Sequence, residues 1–92
     1  MNNPVSAPFR PDRKPIRRKH VVSTAVRSVG YDMAHAVLQV EVANGSVYDY
    51  VGVPPEAYEV FMNAASKGQH YNREIKPSYL ECYLVREGEF AH

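Results

Sequence analysis

Polar and apolar positions alternate along the middle of the chain. Residues 21–31 are rich in β-branched side chains and read as a first strand. Residues 36–42 place Leu38, Val40 and Val42 on one side and Gln39 and Glu41 on the other, the period-two pattern of a half-buried strand. Residues 32–35 are a plausible reversal between the two. Asn44-Gly45 is a strong hairpin signal, and residues 46–51 form the returning strand, which completes a three-stranded meander.

The period then changes. Val53-Pro54-Pro55-Glu56 breaks the sheet and puts a proline at or near the first helical position, where its missing N–H costs nothing. Ala57, Tyr58, Phe61, Met62, Ala64 and Ala65 recur at spacings of three and four, the stripe of a helix that covers a surface. Lys67-Gly68 ends this helix. Alternatively, Ser66 caps a second, short helix through residues 69–76, with Tyr71 and Ile75 four apart and Pro77 as the stop. Residues 79–86 have strand composition and could add a fourth strand or pair with a second copy. The pattern predicts an α+β domain: a small three- to four-stranded antiparallel meander, one main α-helix packed on one face, and a short second helix.

The hairpin register decides the role of Tyr48 and Tyr50. A two-residue Asn44-Gly45 turn pairs Val40 with Asp49 and sends both tyrosines away from the valines. A three-residue loop with Gly45 in the left-handed region sets Tyr48 beside Val40 and Tyr50 beside Leu38, because a slip of one residue exchanges the faces of a strand. The first register buries the Asp49 carboxylate among apolar groups, which is costly. The second is therefore expected, with Tyr48 and Tyr50 in the core and Asp49 on the exposed side. The competing role for the pair is a platform on which RNA bases stack.

Charge changes the picture at the N-terminus. The 92 residues carry a formal net charge of +1, which suggests no partner. That sum is a cancellation: residues 1–20 hold six basic residues against one acidic, a net +5, and residues 21–92 hold five against nine, a net −4. The first segment also holds Pro4, Pro8, Pro11 and Pro15 and no apolar period, so it reads as a disordered basic tail. The chain divides into this tail (1–20), an α+β domain (21–79) and a C-terminal extension (80–92). No apolar run approaches a membrane span, and the basic N-terminus has no apolar stretch behind it that would make a secretory signal. Cys82 stands alone and can staple nothing within the chain, which fits a reducing, cytoplasmic setting.

Several motifs in order resemble the KTSC domain: Val29-Gly30-Tyr31-Asp32, Leu38-x-Val40, Asn44-Gly45-x-Val47-Tyr48-x-Tyr50, Val53-Pro54, Ser66-Lys67-Gly68 and Asn72-x-x-Ile75. This module is named for the C-terminus of some lysyl-tRNA synthetases and also occurs alone in small bacterial and phage proteins. Tyr48-Asp49-Tyr50 supplies its hallmark Y-x-Y. The resemblance spans about residues 23–79. It implies RNA binding by association with the synthetases, and it brings no assigned catalytic residues.

Two groups of residues carry candidate chemistry. In the tail, Arg13, Lys14, Arg17, Arg18 and Lys19 fall within seven residues, a cluster suited to nucleic-acid backbones or acidic surfaces, or simply to solubility. In the body, Lys67, His70, Asn72, Arg73 and Lys76 surround Gly68, where backbone N–H groups and cations could hold a phosphate. The plainer reading of that segment is a helix-to-helix connection, and the two are compatible. No catalytic constellation, metal-ligand spacing or phosphate-loop pattern appears, so neither an enzyme nor a cofactor is expected. Two functions follow: putting charge against RNA or another nucleic acid, or, alternatively, docking a protein partner as an adaptor or a phage-type inhibitor.

Overall fold

Consecutive antiparallel strands joined by tight turns must lie side by side, and this chain follows that rule through its first four strands. The computed structural model describes residues 16–88. Within them, β1 (Arg18–His20), β2 (Val26–Asp32), β3 (Val37–Val42), β4 (Val47–Val51) and β5 (Cys82–Arg86) form one antiparallel sheet in chain order. Between β4 and β5 run the helix α1 (Pro55–Asn63) and the turn α2 (Lys67–His70), which continues into a π-helical turn, Tyr71–Ile75. The sheet thus has five strands rather than three or four. The additional one is β1, which takes Arg18–His20 out of the expected tail. Residues 1–15 and 89–92 lie outside the described residues.

Gly30 explains the docking of β1. Arg18 pairs with Gly30, Lys19 with Val29 and His20 with Ser28. A Cβ at position 30 would overlap the carbonyl oxygen of Arg17, so only glycine lets this backbone approach. One residue of β2, Arg27, is extra relative to β3. This bulge lets Val26 and Val29 both join the core although three positions separate them.

The β3–β4 hairpin adopts the three-residue loop. Val42 N–H donates to Ser46 O at 2.9 Å, and Gly45 N–H to Val42 O at 2.9 Å. Gly45 lies at φ +92°, and Asn44 Oδ1 accepts from Ser46 N–H at 2.9 Å. Val40 therefore opposes Tyr48, and Leu38 opposes Tyr50. At the β2–β3 turn, Asp32 Oδ1 accepts from Ala34 N–H at 3.1 Å, as an aspartate that opens a turn does.

One face of the sheet is apolar. Val29, Leu38, Val40, Val42, Tyr48 and Tyr50 meet Phe61 of α1 and Tyr71 and Ile75 of the π turn in one buried cluster. Pro54 caps α1 and Pro55 opens it. Tyr58 stacks on Tyr31 with centroids 4.7 Å apart, while the Tyr31 hydroxyl donates to Val53 O at 2.6 Å. Phe61 is the fully buried anchor, and its truncation to alanine would cost about 3–5 kcal/mol. The helix ends at Asn63, short of Lys67-Gly68, because Ala64 turns to extended backbone and Ser66 starts α2 by accepting from Gln69 N–H at 3.3 Å. Ala65 consequently lies outside α1 and is exposed. Gly68 is inside α2 rather than at a C-terminal cap.

The other face corrects an expectation. Asp49 was to be exposed in this register, yet it is 0% exposed, and Gln39 is 2% exposed. The cost is met by polar partners rather than by solvent. Gln39 Nε2 donates to Asp49 Oδ1 at 2.8 Å, and Gln39 Oε1 accepts from the Arg18 guanidinium at 2.5 Å. Arg18 Nε donates to Ser28 Oγ at 2.9 Å, and Ser28 Oγ donates to Glu41 Oε1 at 2.7 Å. Arg86 of β5 closes the row by donating to Glu41 Oε2 at 3.0 Å. This polar row crosses β1, β2, β3, β4 and β5, so directional bonds join the buried Val37 and Val47 in holding this side of the sheet.

Candidate nucleic-acid interface

The polar segment after α1 becomes a small surface of its own. Lys67 donates from Nζ to Ala64 O at 3.2 Å, tying the start of α2 to the end of α1. His70 is half-buried, its ring stacked on Phe61 with centroids 5.4 Å apart. Asn72 is exposed and accepts from Lys76 Nζ at 3.4 Å, and the same ammonium lies 5.5 Å from the Tyr71 ring centroid. Arg73 is exposed. The segment therefore serves as a helix connection and still presents charge. Residues 66–76 hold Lys67, Arg73 and Lys76 against Glu74, whereas α1 holds Glu56 and Glu59 and no cation.

The connector between β1 and β2 packs on this segment. Ser23 Oγ accepts from both Ala25 N–H and Val26 N–H at 3.2 Å, which folds the connector back. Gly68 fits against it: a Cβ there would come within 3.1 Å of Ala25 Cβ and 3.3 Å of Ser23 Oγ. The result is an open polar cleft of about 390 Å³ whose walls include Ser23, Thr24, Ser66, Lys67, Gln69 and Asn72. Among the described residues Lys67 is its one charged lining residue, and no carboxylate enters it. Sequence reasoning found Lys67 and Asn72 but missed Ser23, Thr24 and Gln69. The available signal was Gly68, a glycine inside a helical turn, which marks a close approach by another part of the chain.

The remaining basic residues divide. Arg13 and Lys14 lie outside the described residues. Arg17, just before the edge strand, and Lys19, on it, are exposed. Lys19 opposes Val29, on the side of the sheet that carries the helices. Arg18 is drawn into the polar row on the opposite face and is only half exposed, so its charge has a structural task.

Tyr48 and Tyr50 are 4% and 1% exposed, which corrects the stacking role: neither ring has a face to offer a base. Their register put them under the helices, so the Y-x-Y signature is a folding feature here. Burial pushes the Tyr50 hydroxyl well above its ordinary pKa, with Tyr71 and Cys82 adding to the shift, and burial does the same to Tyr71. The Cys82 thiol is pushed up to about 11 by burial, so it is protonated at neutral pH. Among the described residues, no three histidine, cysteine or acidic side chains gather as metal ligands. None of the described helices is long and apolar enough to cross a membrane.

A small sheet of five strands carrying two short helices is shared with known proteins. The KTSC domain profile matches residues 22–79, and the chain belongs to that family. The crystal structure of a KTSC domain protein from Yersinia pestis superposes with a TM-score of 0.73 at 33% identity, covering 78% of this chain and 100% of that one. An uncharacterised protein of Stutzerimonas stutzeri is 38% identical over 70 residues, 76% of this chain and 99% of the relative. A lysine–tRNA ligase of Nostoc punctiforme is 39% identical over 56 residues, which is 61% of this chain and 10% of the ligase.

Proposed function

We propose that this KTSC domain is a non-enzymatic, cytoplasmic nucleic-acid-binding module that engages RNA backbones. The observation that supports it most is the charge segregation around the Ser23–Lys67 cleft. Lys67 lines a polar groove in which no carboxylate falls among the described residues, Arg73 and Lys76 follow on the same short segment, and two of the three acidic residues of the helical region, Glu56 and Glu59, lie on α1. Phosphates need such a surface, with hydroxyl and amide donors beside a few cations. The N-terminal cluster Arg13, Lys14, Arg17 and Lys19 adds charge leading into the edge strand. The likeness to part of a lysine–tRNA ligase is consistent with a partner of this kind.

The test is a titration of single-stranded and duplex RNA into the full chain, into a chain lacking residues 1–15, and into a Lys67→Gln/Arg73→Gln/Lys76→Gln variant. The deletion stops at residue 15 because β1 begins at Arg18. Binding that weakens in both variants and falls with added salt is expected, with a slope approaching about −0.9 per phosphate contact on a duplex. Absent or salt-insensitive binding in all three overturns the reading. A protein-docking role has one observation in its favour: among the described residues β5 has no neighbour on its outer side, and Leu80 just before it is 83% exposed. A partner recovered equally with and without nuclease treatment would support that role instead.

A further inference from the structure

A second cavity, of about 370 Å³ and of different chemistry, is lined by residues of the π-helical turn, of the segment after it and of the sheet. Its lining includes the inner residues Tyr50 and Cys82, and Tyr50 is 1% exposed in the folded chain. The Tyr50 hydroxyl is already joined to the Tyr71 hydroxyl at 2.6 Å. Tyr79 and the exposed Leu80 add apolar surface, and Asn72 and Lys76 supply an amide and an ammonium. No carboxylate among the described residues lines it. Among the described residues Lys76 forms no ion pair, and its contacts are the Asn72 amide oxygen and the face of Tyr71.

This combination has a direction. A concave space with apolar walls and a few convergent polar groups is the usual form of a small-molecule site. Its one charged side chain here, among the described residues, is a cation, with an amide and tyrosine hydroxyls beside it, and its apolar wall includes Leu80, which is 83% exposed. The segment between the helical region and β5 is a tight turn, with Ser78 and Tyr79 N–H both donating to Ile75 O, so the cavity is bounded by backbone that is already hydrogen-bonded. The polar residues sit on or directly after a π-helical turn, a local geometry often found where a helix carries function. The protonated thiol of Cys82 makes the cavity suited to holding a molecule rather than attacking it.

We propose that this cavity binds a small organic carboxylate with an apolar body, its anionic end held by Lys76 and Asn72 and its body laid against Tyr79 and Leu80. The inference goes beyond nucleic-acid binding and does not depend on it, since the ligand is measured in the absence of RNA.

The experiment uses the full, ¹⁵N-labelled chain, titrated with sodium octanoate and, separately, with octylamine, which has the same body and the opposite charge. Saturable shifts of the Asn72, Leu80 and Cys82 amides with octanoate are expected, with a dissociation constant of roughly millimolar or tighter for a ligand of this size. Octylamine should bind at least about tenfold more weakly, and Lys76→Gln should weaken octanoate by about tenfold while the fold's spectrum is kept. No saturable shift with octanoate, equal affinity for octylamine, or shifts confined to residues outside the cavity would each overturn the proposal. The octylamine comparison uses the unaltered protein, so it decides even if the Lys76 variant folds poorly.

Discussion

The hydroxyls of Tyr50 and Tyr71 meet at 2.6 Å, with their rings edge to face at 81° and 5.9 Å between centroids. This one contact joins the central hairpin to the π-helical turn. Both side chains are buried, so each hydroxyl has exchanged water for the other.

Removing one hydroxyl should therefore cost more than half of removing both. Tyr50→Phe leaves the Tyr71 hydroxyl buried without this partner, and a loss of about 1–3 kcal/mol is expected. Tyr50→Phe/Tyr71→Phe should be less destabilised than the sum of the single variants, because no hydroxyl is then stranded. Urea unfolding of the four proteins measures the coupling. Strictly additive losses would show that the two groups do not act as a pair.

Alkaline pH should unfold this protein early. Burial raises the pKa values of Tyr50, Tyr71 and Cys82 above their unfolded values, the thiol from 9.0 to about 11. A group raised in the folded state stabilises fully below its unfolded pKa and loses that contribution as pH rises towards the folded one. Stability is expected to be flat up to about pH 8 and to fall from about pH 9 upward. At pH 8 the thiol should react with iodoacetamide roughly a hundredfold more slowly than an unfolded cysteine, and urea should restore the rate.

How far these features were legible in the sequence depends on what signalled them. The meander, the hairpin loop and the pairing of Tyr48 with Val40 follow from local rules, since period-two alternation and a glycine at positive φ are properties of single segments. The burial of Asp49 does not follow from such rules. The strand pattern places Asp49 in solvent, whereas Gln39 and Arg18 supply its face with polar partners drawn from other strands. Those contacts span 10 and 21 positions, and no local pattern encodes them. Arg18 was obscured by its neighbours, because five cations in seven residues look like a solvated tail. The π-helical turn was foreshadowed only by Tyr71 and Ile75 four apart. Of the candidate site, Lys67 and Asn72 could be read and the connector residues Ser23 and Thr24 could not, because they come together only through the docking of β1.

Gly30 supplies a direct test of that docking. In Gly30→Ala the new methyl group meets the Arg17 carbonyl and the side chains of Ile16 and Arg18. Either β1 shifts or the sheet is strained, and an expected loss of about 1–3 kcal/mol follows from overpacking. Amide exchange distinguishes this from a general weakening. The Val21 amide, which donates to Arg27 O at 3.0 Å, should lose protection first, while Leu38 and Val40 in the centre keep theirs in proportion to global stability. Unchanged protection along β1 would mean that glycine is not needed there.

The polar row should govern the acid limb of stability through Glu41. Burial pushes the Glu41 carboxyl up, but the Ser28 hydrogen bond and the guanidiniums of Arg18, Arg86 and Arg27 outweigh it, so the group ionises below its usual range. A carboxyl lowered in the folded state stabilises above its unfolded pKa, here 4.5, and that contribution is lost as pH falls through the folded value. Glu41→Gln cannot ionise, so its stability should change less than the parent's between about pH 5 and pH 3, and the two curves should converge at the acid end. At pH 7 the variant should be less stable by about 1 kcal/mol, because Glu41 Oε2 accepts from a half-exposed Arg86 and such pairs are screened. Sodium chloride at 1 M should narrow the pH 7 gap. Parallel stability curves for the two proteins across this range would remove Glu41 from the acid response and leave the row as hydrogen bonding alone.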